Sequence, residues 1–310
     1  MKIIKKLEYS NQPTSVALGY FDGIHLGHRA VINDAVEFAK KNNLVPTVFT
    51  LLQSPRKVLF NEKIEGVITI SEKLQLIQEM GVGQVYIIDF TEIRNISAED
   101  FVSHILKDCF HAKHAVCGFN YHFGKQALGN RTLLKDLCNN LGISTSSQNQ
   151  LCYQNMPISS TRIRKCISDG DIISANAMLG RKYGFHLPVV HGRQLGRTWG
   201  TPTINQLFPN GLVCPKFGVY ASEVTVDGKK FCGVTNIGVK PTIEDFHGVI
   251  IETWMPNYNG RDLYDELSDV RLIEYIRPEK KFDSLESLKN EILLNGRQAE
   301  QIFLKNQSIF

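Results

Sequence analysis

The sequence predicts two domains of different class: a parallel, doubly wound α/β domain over residues 1–183, then a small antiparallel β-barrel or sandwich with a C-terminal helix over residues 184–310. Three observations carry this reading. Strand and helix patterns alternate from Ser15 to Leu141, the order of a parallel sheet with ligands at its C-terminal strand ends. From Tyr183-Gly184-Phe185-His186-Leu187-Pro188 onward the alternation becomes strand and turn. At 310 residues the chain is long enough for two domains that each bury a core.

The first strand is the apolar run Ser15-Val16-Ala17-Leu18. A helix follows, with Ala30, Val31, Ala35, Phe38 and Ala39 forming one apolar stripe up to Asn42 and Asn43. Residues 46–51 read as a second buried strand. Thr69, with Glu72 three residues on, is a capping box for a helix over residues 70–80. A third strand lies within residues 82–90, built on Val85-Tyr86-Ile87-Ile88. Ser97 with Asp100 caps a helix through Ile105 and Leu106. Ala115-Val116-Cys117 is a short fourth strand, and residues 133–141 form a helix ended by Gly142. In the second half, residues 219–226, the turn Asp227-Gly228 and residues 229–234 make the strongest hairpin signal of the chain. Val249-Ile250-Ile251 and Val270-Arg271-Leu272-Ile273 are further strands. Asp283-Ser284 with Glu286 opens a closing helix over residues 285–294, ended by Asn295-Gly296. The boundary carries no Gly/Ser linker, so the halves are expected to be joined tightly.

Composition narrows the function classes. The apolar fraction of 43% and charged fraction of 21% are ordinary for a soluble globular chain. No run approaches a membrane span, and the lysines near Met1 have no apolar core behind them, so neither a membrane protein nor a signal peptide is expected. Seven cysteines, with no Cys-x-x-Cys, argue against a disulfide framework or a zinc site and fit a reducing cytoplasm. The net charge of +4, without a dense basic block, gives nucleic-acid binding little support and suits anionic nucleotides.

Residues 19–28, Gly-Tyr-Phe-Asp-Gly-Ile-His-Leu-Gly-His, carry the first chemistry. Gly19, Phe21, Asp22 and Gly23 lie at a strand-to-helix turn, and His25 and His28 share a face of the first helical turn. Bare N–H groups, a positive dipole end and two imidazoles make a place for phosphate. The plain alternative is a βα turn with two surface histidines. Gly118-Phe119-Asn120-Tyr121-His122-Phe123-Gly124 follows the fourth strand. Its aromatics could stack on a planar ring while Asn120 hydrogen-bonds it, or it is a loop with a hydrophobic anchor. Ser159-Ser160-Thr161-Arg162-Ile163-Arg164 opens a helix as a cap or, through its arginines, as an anion clamp.

The second half carries three more features. Gly192-Arg193-Gln194-Leu195-Gly196-Arg197-Thr198-Trp199-Gly200 is a basic loop suited to wrapping a polyphosphate, though hairpins share that composition. In Thr201-Pro202-Thr203-Ile204-Asn205, an extended backbone puts Thr203 and Asn205 on one face, where two hard oxygens could meet Mg²⁺ or a phosphate. Glu252 stands alone among Val249, Ile250, Ile251 and Trp254. It is a buried member of an ion pair, a base raised by burial, or a residue pointing outward on an edge strand.

These motifs together resemble the bacterial bifunctional riboflavin kinase and FAD synthetase family over nearly the whole chain. The first half resembles its FMN adenylyltransferase module, a Rossmann-like nucleotidylyltransferase, through Gly19-Tyr20-Phe21-Asp22-Gly23, His25-Leu26-Gly27-His28, residues 120–124 and residues 159–164. The second resembles its riboflavin kinase module, a six-stranded barrel. There the matching residues are Gly196-Arg197 with Gly200, Pro202-Thr203-Ile204-Asn205, Asn236-Ile237-Gly238 with Pro241-Thr242, Glu252-Thr253, and Arg277-Pro278-Glu279 with Phe282. Tyr20 stands where the family usually has Asn, Gln53-Ser54-Pro55 where it has His-Pro, Trp254 where His is common, and Asp265 where Gly is usual.

The resemblance implies phosphorylation of riboflavin to FMN by ATP, then adenylylation of FMN to FAD with release of pyrophosphate. It implies Glu252 as the base of the kinase reaction, His28 as the catalytic residue of adenylyl transfer, and Thr203 and Asn205 as holders of Mg²⁺. It further implies Gly19, Phe21, Asp22, Gly23, His25, His28, Ser160, Thr161, Arg162, Gly196, Arg197 and Gly200 around nucleotide, with Asn120 and Phe123 at the flavin. Flavins and ATP would be the partners, with no nucleic acid, membrane or obligate protein among them. A flavin- or nucleotide-binding protein without turnover and an RNA-binding or tRNA-charging protein are the rivals. The first is separated by a turnover assay; the second needs an anticodon-binding domain or basic stripe.

Overall fold

The computed structural model describes residues 1–191, 201–243 and 246–307, the side chains of 240–243 and 246–247 excepted. The chain divides into two compact units, Met1–Ser160 and Thr161–Phe310.

The first unit is built on six parallel strands: β1 (Lys2–Ile4), β2 (Thr14–Leu18), β3 (Val45–Leu51), β4 (Gln84–Ile88), β5 (Ala112–Gly118) and β6 (Ser144–Gln148), in the spatial order β1-β4-β3-β2-β5-β6. Helices α1 (Leu26–Lys41), α2 (Pro55–Phe60), α3 (Ile70–Glu79), α4 (Phe101–Cys109) and α5 (Arg131–Asn140) lie along the crossovers. The doubly wound sheet is as the alternation predicts. Strand β2 is buried along its whole length between β3 and β5, with Leu18 opposite both Phe49 and Cys117. From β2 the chain winds out through β3 and β4, then crosses back to β5. The winding therefore reverses beside β2, and the C-terminal ends of β2 and β5 flank the crevice that such a reversal leaves. Buried aromatics fill one face of the sheet; the Tyr86 and Phe110 rings lie 4.1 Å apart.

Helix α2 and two further details depart from the predicted elements. Strands β1 and β6 are added at the two edges. The helix capped by Ser97 becomes wider from Phe101 onward, where the Phe110 N–H donates to the Ile105 carbonyl at 2.8 Å, five residues back.

The second unit opens with α6 (Ser160–Asp169), which straddles the division, and α7 (Ile172–Leu179). Its sheet is antiparallel: β7 (Gly184–Pro188), β8 (Thr203–Leu207), β9 (Gly218–Val226), β10 (Lys229–Ile243), β11 (Phe246–Trp254) and β12 (Leu267–Arg277), ordered β7-β12-β9-β10-β11-β8. Just beyond β7, the Val190 N–H donates to the Asn205 carbonyl of β8 at 2.7 Å, and the Gln206 amide reaches the Leu187 carbonyl at 2.8 Å. These bonds bring the two ends of the sheet together, so of the two antiparallel forms the sequence allowed, this unit is a nearly closed six-stranded barrel. A line of hydroxyls, Ser222, Thr235 and Thr253, runs through its buried layer at 2.7 and 2.9 Å.

Helix α8 (Leu285–Asn306) packs Ala299 and Phe303 onto Val219, Ala221, Val234 and Ile273. Its N-terminus is capped at Ser284 as predicted, with Ser287 completing the box. Its C-terminus is not where the sequence put it, since the helix runs straight through Asn295-Gly296. Gly296 is there for close approach: a Cβ would lie 2.9 Å from the Trp254 ring. Asn295 is buried and accepts from Arg277 Nε at 3.3 Å. Both residues are packing positions that resemble a stop signal.

Candidate functional site

The first unit places one candidate site at the turn after β2. Gly23 has φ +83°, but Phe21 at +55° and Ile24 at +42° are also left-handed, a conformation that side chains resist and that costs of order 1–3 kcal/mol per residue. Such a turn persists only where its surroundings dictate it. Asp22 accepts the Val67 N–H at 2.9 Å, and the Ser160 hydroxyl donates to the Asp22 carbonyl at 2.8 Å. The Tyr20 carbonyl accepts from both the Thr50 hydroxyl and the Lys73 ammonium, each at 2.8 Å.

The turn delivers the two histidines to the N-terminus of α1. His25, only 6% exposed, is the N-cap, its Nδ1 accepting from the His28 N–H at 3.3 Å. The His25 and His28 rings stack at 3.5 Å and 18°, and Phe21 meets His28 edge-on at 5.4 Å. The predicted shared face is therefore a stacked imidazole pair at a positive helix end.

Other predicted residues lie where the topology takes them. The loop of residues 119–124 follows β5, across the crevice from the turn. Phe119 and Asn120 are exposed there, whereas Phe123 is 6% exposed and packs on Phe101 with ring centroids 5.2 Å apart. Phe123 is thus seated as the hydrophobic anchor, the second of the two readings its loop allowed. Ser160 is tied to Asp22, and Thr161 accepts from Arg164 at 3.1 Å in the first turn of α6, with Arg162 between them.

Lys73 was missed from the sequence. It lies 3% exposed on α3, and burial lowers its pKa to about 8 against the opposing pull of Asp22. Its ammonium also sits 4.4 Å from the centre of the Tyr20 ring. The available signal was its position four residues before Ile77, on the apolar side of the helix.

The second unit holds the other candidate site on the sheet around β11. Register sets Asn205 of β8 and Asn236 of β10 directly opposite Glu252, and Thr203 opposite Trp254. Because side chains alternate along strands, Thr203, Asn205, Glu252 and Asn236 share one face. Glu252 is half-buried on an interior strand, so the edge-strand alternative falls away. Gly238, two residues beyond Asn236 on the same strand, faces Glu279 so closely that a Cβ would meet its carboxylate. Arg277 binds Glu291 at 3.0 Å beside Phe282. Gly196, Arg197 and Gly200 lie outside the described residues, as do the side chains of Pro241 and Thr242.

Comparison with known proteins matches both units. A family model described as FAD synthetase matches residues 7–162, and one described as riboflavin kinase matches residues 179–303. The bifunctional riboflavin kinase/FMN adenylyltransferase of Listeria monocytogenes is 32% identical over 96% of this chain and 95% of its own length. Those of Bacillus subtilis and Escherichia coli K12 are 33% and 32% identical, covering 93% and 98% of this chain and 92% and 98% of their own. A Streptococcus pneumoniae structure named a macrolide-efflux protein superposes at a TM-score of 0.85, with 28% identity over 96% of this chain and 98% of its own. Among the described residues of this chain, no helix is long and apolar enough to cross a membrane.

Proposed function

The chain belongs to the family of bifunctional riboflavin kinase/FMN adenylyltransferases, and from that premise we propose which of its residues perform each reaction. It is an enzyme of flavin-cofactor biosynthesis that phosphorylates riboflavin to FMN with ATP and adenylylates FMN to FAD.

Adenylyl transfer belongs to the turn of residues 19–28. The FMN phosphate is already an anion near neutral pH, so attack on the α-phosphorus of ATP needs charge stabilisation more than a base. The stacked His25–His28 pair at the N-terminus of α1 is the observation that carries this assignment. It offers imidazole and backbone N–H donors where negative charge builds. Gly19, Phe21, Asp22 and Gly23 shape the cradle, and Ser160, Thr161 and Arg162 add donors from α6. Asn120 faces the flavin, with Phe123 holding its loop.

Phosphoryl transfer belongs to the row on β8, β11 and β10. Glu252 takes the proton of the ribityl hydroxyl, help typically worth about 10²–10⁴-fold. Thr203 and Asn205 present a hydroxyl and an amide oxygen on one face, a donor set that fits a hard cation such as Mg²⁺. When bound, Mg²⁺ supplies charge neutralisation at the phosphates. Gly196, Arg197 and Gly200, matched by resemblance alone, are assigned to the nucleotide. The two modules are taken as residues 1–183 and 184–310. Seven free cysteines fit a reducing, cytoplasmic setting.

Reciprocal variants test both assignments. His28→Ala should cut FAD formation from supplied FMN by about 10²–10³-fold and leave riboflavin phosphorylation near wild type. Glu252→Gln should do the reverse, lowering FMN formation by at least about 10²-fold. Wild-type rates of FAD formation in His28→Ala would remove the first assignment, and more than a tenth of wild-type FMN formation in Glu252→Gln would remove the second.

A further inference from the structure

The strained turn of residues 19–28 needs something to hold it, and its neutral restraints include a hydroxyl from Thr50, a backbone N–H from Val67 and a hydroxyl from Ser160. Lys73 is not ordinary. A lysine is almost never this buried unless it has a partner, because removing its charge from water is expensive. Here the ammonium donates to the Tyr20 carbonyl at 2.8 Å and lies against the Tyr20 ring. That carbonyl belongs to the last residue before the chain enters the left-handed region at Phe21.

We propose that Lys73 is a positioning residue for adenylyl transfer: its buried ammonium pins the Tyr20 carbonyl and so holds residues 21–28 in the conformation that presents the His25–His28 pair. The inference rests on the assignment of that pair to the adenylyl site. Lys73 acts through the turn and touches no reacting atom in this account. A charge, rather than a second neutral donor, suits the place. A charge-assisted bond is roughly twice as strong as a neutral one, and the same charge adds to the positive field of a site that receives ATP and FMN. The ring of Tyr20, standing where the family usually has Asn, gives the ammonium an aromatic face as well as a carbonyl.

The test uses the full chain and three variants, Lys73→Met, His28→Ala and Thr50→Val, assayed for both activities in the same preparations. Lys73→Met keeps the length and apolar stem of the side chain while removing the charge and the donor. It should lower kcat for FAD formation at least tenfold, leave KM for ATP within about threefold, and leave riboflavin phosphorylation within twofold. Thr50→Val, which removes the neutral donor from the same carbonyl, should show the same pattern to a smaller degree.

A pH profile separates positioning by charge from simple packing. Asp22, which favours the ammonium, and Tyr20, whose ring face lies against it, are titratable residues of the turn beside Lys73. In the wild type, kcat/KM for FAD formation should bend downward above about pH 8, where the ammonium loses its proton, and in Lys73→Met it should run flat through that range. The inference is overturned if Lys73→Met keeps more than half the wild-type FAD formation, if it loses both activities together, or if its profile bends as the wild type's does. His28→Ala discriminates the premise. Should it retain full FAD formation, the site assignment fails and takes the role of Lys73 with it; should it lose FAD formation while Lys73→Met does not, Lys73 alone is dismissed.

Discussion

Glu223 shows how a single charge is kept inside the barrel unit. Burial works against its carboxylate, yet Lys182 at 2.7 Å and Lys230 at 3.0 Å hold its pKa below the usual carboxylate range. A carboxyl with a depressed folded pKa contributes stability that is present above its unfolded value and is lost as pH falls through the folded one. Resistance to denaturant should therefore fall on acidification below about pH 4.5, and Glu223→Gln should flatten that part of the curve. Lys182→Met should cost about 3 kcal/mol, because it strips a partner from a buried carboxylate. An unchanged midpoint in Lys182→Met would mean that Lys230 suffices alone. Charged residues of this kind are hard to read from sequence. Lys73 and Lys182 look like solvated lysines until the fold surrounds them, whereas His25 and His28 declare themselves through glycines at a strand-to-helix junction.

Elements were legible where their periodicity was local. Strands β2 to β5 and the hairpin of β9 and β10 carry apolar runs or a turn dipeptide, and they stand where those signals lie. Strand β6, Ser-Thr-Ser-Ser-Gln, has no apolar pattern to read; its pairing with β5 is backbone bonding at a sheet edge. Helix α7 failed to show for the opposite reason, since Ile172, Ala175, Met178 and Leu179 are buried with little polar face between them. Helix α8 was cut short in the reading because Asn-Gly ends many helices. Its true course makes a prediction. Gly296→Ala gains about 1 kcal/mol of helix propensity but drives a methyl into the Trp254 ring, an overpacking cost of about 1–3 kcal/mol. The net result should be a lower Tm with kinase activity affected through Trp254, which neighbours Glu252. A higher Tm would show that the ring moves aside freely.

At the scale of the whole molecule, the proposed assignment gives the two reactions to two units of different architecture, and the strands from residue 184 onward do not account for everything the barrel needs. The Asn176 side chain donates to the Leu272 carbonyl at 3.0 Å and accepts the Tyr183 N–H at 2.6 Å, tying α7 to β12. A fragment of residues 184–310 should phosphorylate riboflavin, yet melt below a fragment of residues 161–310; equal melting would make α7 dispensable to the barrel. The barrel's ends meet in the backbone bridge from Val190 to Asn205. Asn205 also carries the side chain assigned to the cation and its phosphates. One residue thus belongs to the seam and to the fuel. A ligand that clamps the Asn205 side chain also resists parting of the seam, so deuterium uptake at the Val190 amide should slow by up to about a hundredfold when Mg·ATP is near 100 times its Kd. Nucleotide supply would then be readable as the stiffness of the fold itself.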